Sequence, residues 1–202
     1  MLINTTFFVG NINIPGAGAG GPVDASLNWF IKNYETEFMR IALGGDLYFD
    51  FMTGLGLASD GSFSNVANGV AAVGTVQIWK DLLNGKEYTG MDARLHKWKG
   101  LVSVGDDAQT IKKSPIANYV YYWYLENNAT QTTALSEVAA KSENASAASP
   151  AAKMARAWNE MSDSMREMVF FLDTFYTLYP NWHLQNRVEM FRKFKYINAY
   201  SI

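Results

Sequence analysis

From Met154 onward, apolar side chains recur at Met154, Trp158, Met161, Met165, Met168, Leu172, Phe175 and Tyr179, spaced 4, 3, 4, 3, 4, 3 and 4. Such a repeat puts every member on one face of an α-helix, and that face must be covered. The spacing predicts a helix opened by Ser149-Pro150 and closed by Pro180, which cannot continue it. At 1.5 Å per residue it would be about 45 Å long. It is the expected spine of the fold, and its stripe reads as core packing rather than a cofactor box.

The same Ser-Pro opening occurs at Ser114-Pro115 and predicts a helix over Ile116–Asn127. Its aromatics, Tyr119, Tyr121, Tyr122, Trp123 and Tyr124, do not keep to one side, so this helix needs cover on more than one face. A third helix is predicted after Asp24 as N-cap, with Leu27, Phe30, Ile31, Tyr34, Phe38 and Ile41 in phase and Gly44-Gly45 as its stop. Shorter helices are expected over Asp46–Thr53 and Thr75–Asn84, the latter with Val76, Trp79, Leu82 and Leu83 inward. Alternating pieces from Lys86 to Val104 suggest a β-hairpin.

The expected fold class is therefore mainly α: a helical bundle with a long spine helix in the C-terminal half, small β-hairpins and projecting arms. Residues 1–22, ending in the loop PGAGAGG, read as a flexible N-terminal arm, residues 23–182 as the helical domain, and 183–202 as a basic C-terminal tail. Within the domain, residues 129–149 read as a projecting arm, since a loop of that length is usually functional or disordered, and the β-branched residues and partial alternation of its first half suit a hairpin. Charge is uneven. Residues 1–79 carry two basic and six acidic side chains, whereas residues 180–202 carry four basic and one acidic.

No catalytic, cofactor or metal site is expected. Gly16, Gly18 and Gly21 match G-x-G-x-x-G, but Pro22 and Asp24 stand where a phosphate-facing helix turn would begin, and no βαβ alternation follows. A flexible loop that binds no nucleotide is the expectation. With no cysteine among 202 residues, disulfides and thiolate metal sites are excluded. His96 and His183 lie far apart and read as surface or interface residues. Asp106-Asp107 reads as a solvated turn, and Glu35 and Glu37 as ordinary helix carboxylates. Stacking of single-stranded nucleic acid on the tyrosine cluster would need interleaved basic residues, yet none lies between Lys113 and Lys141. The N-terminus lacks the basic start and apolar run of a signal peptide, and no apolar run approaches the length of a membrane span. A soluble chain made inside the cell is expected.

Three stretches carry a resemblance: Ser114-Pro115-Ile116-Ala117-Asn118-Tyr119-Val120-Tyr121-Tyr122-Trp123-Tyr124, then Asn128-Ala129-Thr130-Gln131-Thr132-Thr133, then Ser149 through Met161. Together they resemble the small head-to-tail connector (adaptor or head-completion) proteins of tailed bacteriophages, especially phages of gut Bacteroides-type hosts, including the crAss-like group. The likeness is best over roughly residues 90–180. It implies a mainly helical virion protein, assembled in the host cytoplasm, forming a dodecameric ring at the head-tail junction. Portal protein and tail or further connector proteins would be its partners, genomic DNA would pass with transient contact through the channel, and no membrane would be involved. The acidic first 79 residues would suit a channel wall along which DNA slides. Another phage structural component, such as a tail, capsid-decoration or scaffold-interacting protein, is the alternative. Candidate interface residues are Tyr121, Tyr122 and Tyr124 of the aromatic helix, Gln131, Thr132, Thr133, Leu135 and Val138 of the arm, and Arg192, Lys193 and Lys195 of the tail.

Overall fold

The structure is a computed structural model that describes residues 1–56, 75–103, 111–132, 137–139 and 150–198. Its helices are α1 (Pro22–Leu43), α2 (Gly45–Gly54), α3 (Gln77–Asn84), α4 (Pro115–Ala129), α5 (Ala151–Thr174) and α6 (Leu184–Lys193). Strands β1 (Lys86–Thr89) and β2 (Leu95–Trp98) form one antiparallel hairpin, and β3 (Thr130–Thr132) and β4 (Glu137–Ala139) form another. The mainly helical class and the small hairpin after α3 are as the sequence led one to expect. Asp106-Asp107, Thr133, Leu135 and most of the Gly/Ser-rich stretch after α2 lie outside the described residues.

Helix α4 is the centre of the bundle, which explains an aromatic pattern that respects no single face. On one side Tyr119, Trp123 and Tyr124 meet Phe38, Tyr34 and Phe30 of α1. On the other, Tyr119 and Tyr122 pack on Trp158 of α5. The spine stripe is therefore buried against α4, and α4 rather than α5 is the direct neighbour of α1. Ser114 opens α4 as expected. Its hydroxyl accepts from the Ile116 N–H at 3.1 Å and donates to the Leu101 carbonyl at 2.7 Å, tying the helix to the chain that leaves the first hairpin.

Met154, Met161, Met165, Met168 and Leu172 are buried as the repeat demands, and Trp158 is half-buried. The helix ends six residues before Pro180, however, so it measures about 36 Å rather than 45 Å. Thr174-Phe175-Tyr176-Thr177 is a run of residues with low helix propensity. Asp173 then gathers the returning chain, accepting from Trp182 Nε1 at 2.9 Å and from Arg187 at 2.6 Å. The reversal carries Tyr179 into the core, where its hydroxyl donates to the Ile78 carbonyl and its ring meets Trp79 and Phe171. Val76, expected inward, is exposed, because α3 starts one residue after it.

Both chain ends differ from expectation. Residues 1–14 are not a flexible arm: Leu2, Ile3, Phe7, Phe8, Ile12 and Ile14 are core residues. The Glu35 carboxylate accepts from Leu2 N–H at 2.8 Å and Ile3 N–H at 3.1 Å, which anchors the segment to α1. Burial pushes the Glu35 carboxyl above the usual range, against the opposing pull of the N-terminal charge and those two amides. The basic tail is not free either. It forms α6, whose Met190 is fully buried together with Phe194 just beyond it, the Phe194 ring stacking on Phe38. A segment of short turns at one end and a ten-residue helix at the other thus enter the core with few apolar positions in phase.

Close backbone approach fixes the base of the first hairpin. A Cβ on Gly85 would lie 2.3 Å from the Trp98 carbonyl oxygen, and one on Gly100 would lie 2.4 Å from the Asn84 carbonyl carbon. Only glycine fits at either position.

Candidate interaction surface

The glycine loop is closed from within. Gly18 and Gly20, at φ +80° and +78°, turn their N–H groups onto the Asp24 carboxylate at 2.7 and 2.6 Å. Asp24 is not the N-cap of α1 but its third residue, behind Gly21 and Pro22. The cradle that a phosphate would need already holds a carboxylate. Titration calorimetry with NAD or ATP is accordingly expected to detect no binding, and affinity lost on enlarging Gly18 would contradict this.

The two amides, Gly18 first, hold the Asp24 carboxyl below its ordinary 3.8. A carboxyl whose folded pKa is depressed stabilises the fold fully above its unfolded value and loses that contribution as pH falls through the folded one. Wild type should therefore be more stable than Asp24→Asn near neutrality. The gap should close as pH drops below 3.8 in urea unfolding series. A gap that stays constant into acid would show that the carboxylate contributes nothing.

Of the six acidic side chains expected to form a wall, four make hydrogen bonds within the molecule, Glu37 while remaining exposed. Asp24 and Glu35 are buried, Glu37 accepts from the Tyr119 hydroxyl at 2.8 Å, and Asp50 accepts from Asn181 at 2.6 Å. The opposite holds at the other end of the chain. Arg192 meets Glu189 only loosely, at 3.7 Å with both exposed, and Lys193 and Lys195 are exposed with no ion-pair partner among the described residues.

Of the tyrosines expected at an interface, Tyr121 is buried in the core and cannot serve from the surface of this chain, whereas Tyr122 and Tyr124 are half-buried. Burial raises the phenols of Tyr119, Tyr121 and Tyr122, so the cluster stays neutral and offers only hydrogen bonds and ring faces. The fold brings the basic segment to this cluster. Trp158 Nε1 donates to the Lys195 carbonyl at 2.6 Å, and Asn159 exchanges two bonds of 3.0 Å with the Ile197 backbone. The Tyr196 hydroxyl donates to Asp163, and Arg166 lies over the Tyr196 ring at 4.5 Å. Linear sequence separates these partners by 30 residues or more, so only i, i+4 pairing of Met190 with Phe194 hints that the segment docks.

Gln131, Thr132 and Val138 sit in the second hairpin, where Gln131 pairs with Val138 and Thr132 with Glu137. This hairpin continues directly from the end of α4. Both hairpins are two-stranded, and among the described residues neither adds a third strand. Asp92 lies four residues before His96, and the two meet at 2.8 Å across the first hairpin's turn, so that His96 has a carboxylate partner that the i, i+4 spacing signals. His183 is exposed beside the start of α6. Among the described residues no group of three His, Asp or Glu side chains could hold a metal.

The surface retains large apolar side chains, notably Leu95 at 75% exposed and Phe49 at 71%. Two shallow depressions of about 450 and 470 Å³ flank Arg40, one lined by Asn33, Glu37 and Glu189, the other by Tyr48, Phe49 and Met52. Both open to solvent and neither gathers convergent catalytic groups. No described helix is long and apolar enough to cross a membrane.

The class defined by these features is a mainly helical chain with two small antiparallel hairpins. No protein-family model, no curated protein and no solved structure matches it.

Proposed function

We propose that this chain is a structural virion subunit that assembles with copies of itself into a ring at the head-tail junction of a tailed phage, joining portal to tail around the DNA channel. The observation that carries the reading is the β3–β4 hairpin, an extension of α4 whose two strands pair only with each other among the described residues. Backbone groups on such edges bind another chain's strand readily. The resemblance of residues 114–161 to connector proteins points the same way, and exposed Phe49 and Leu95 supply apolar area for contacts. Tyr122, Tyr124 and the basic residues Arg192, Lys193 and Lys195 lie on surfaces that could meet portal, tail or passing DNA.

The test is the mass of the purified particle by light scattering, with negative-stain imaging. A closed ring at a large integral multiple of the 22.5 kDa chain is expected. A monomer at every concentration reached, with no rings in the images, would overturn the proposal.

A further inference from the structure

We infer that the subunits join head to tail through their hairpins, β3–β4 of one copy pairing at the edge of β1–β2 of the next; this rests on the ring reading above and names the surface that would build it. The two hairpins stand at opposite ends of the bundle. β1–β2 lies beside the start of α4: Ser114 bonds the Leu101 carbonyl three residues after β2, and Trp98 and Tyr88 pack on Phe171 near the end of α5. β3 begins where α4 ends. The fifteen residues of α4 separate the hairpins by about 22 Å, so they cannot pair within one subunit.

Each hairpin is incomplete alone. A two-stranded sheet is marginal in water, and three or more strands are needed for independent stability. Among the described residues no backbone hydrogen bond crosses the outer edge of β1 or β2. The lengths match, three residues in each arm strand against four in the first hairpin. The face of β1–β2 turned away from α5 carries Glu87, Thr89, Leu95 and Lys97, all exposed, with Leu95 the most exposed large apolar side chain among the described residues. An added hairpin would extend this face and cover Leu95 from the side. Because donor and acceptor are different surfaces at opposite ends, the contact is heterologous. Such a contact propagates from copy to copy, and where the rotation between copies closes it builds a ring.

The chain contains no cysteine, so introduced thiols would be the only ones present. Four double variants would cover both edges: Glu87→Cys or Lys97→Cys, each combined with Gln131→Cys or Val138→Cys. Glu87 and Lys97 share an exposed ion pair of 3.5 Å, whose loss disturbs little. After assembly and oxidation, at least one double variant should give a ladder of covalent multimers on a non-reducing gel, while the single variants should give none. Variants that assemble like wild type without any ladder would sink the head-to-tail pairing and leave the ring reading standing. A wild-type chain that never assembles would remove the ring reading, and the pairing with it.

Discussion

Replacing Phe171 with alanine is expected to destabilise the fold by about 3–5 kcal/mol, the range for large aromatic truncations in a core. Phe171 is almost completely buried and sits where three parts of the chain meet. Its ring contacts Tyr88 of β1 and Trp98 of β2, Phe175 beyond α5, and Tyr179 of the returning segment. Removing it leaves a cavity bounded by rigid rings, which collapse poorly, so the upper part of the range is expected. Urea unfolding measures it directly, and Phe49→Ala serves as the reference. Phe49 is largely exposed, so its loss should change stability by no more than about 0.5 kcal/mol. A cost below about 1 kcal/mol for Phe171→Ala would mean that the hairpin and the C-terminal turn of α5 are not held together as the structure has them.

The elements that the sequence announces are those with a sustained period. The Met154–Leu172 stripe, the Ser114-Pro115 opening of α4 and the Leu27–Phe38 face of α1 all rest on local rules, and all hold. What escaped were pieces whose structure is decided by distant partners. Phe7 and Phe8 lie in and after a three-residue turn too short to show a period, and their segment is fixed by distant partners, the Glu35 carboxylate at Leu2 and Ile3 and the Lys112 ammonium at Thr6 and Phe7. Four cations over residues 187–195 hide the Met190–Phe194 pair that docks α6, since a charged run reads as a solvated tail. Phe175 and Tyr179 continue the heptad in sequence but not in helix, because the low-propensity run from Thr174 to Thr177 ends α5 and Asp173 then holds the returning chain through Trp182 and Arg187, partners outside the repeat. At the candidate surface the same division applies. The hairpin strands in the arm could be read from their β-branched residues, whereas the burial of Tyr121 and the docking of residues 195–197 on α5 depend on tertiary packing.

Deleting Gln131 to Ala147 and closing the gap with a short Gly/Ser linker should leave a folded helical monomer that no longer assembles. The fold should survive because the arm bridges two helices that already lie antiparallel. Tyr122, seven residues before the end of α4, packs at 4.7 Å on Trp158, seven residues after the start of α5. The ends to be joined are therefore neighbours, and shortening a connection lowers rather than raises its closure entropy. The contacts that hold α4 on α5 are made by residues outside the deletion, Tyr119 and Tyr122 packing on Trp158. Assembly should fail because the variant lacks the strands that pair with a neighbour, and main-chain hydrogen bonds supply much of the affinity in strand addition. Circular dichroism and urea unfolding would report the fold, light scattering the assembly. Rings formed normally by the deleted protein would show that the arm is not the joint. Loss of the helical fold would overturn the same idea from the other side, by showing that residues 131–147 are part of what holds α4 against α5.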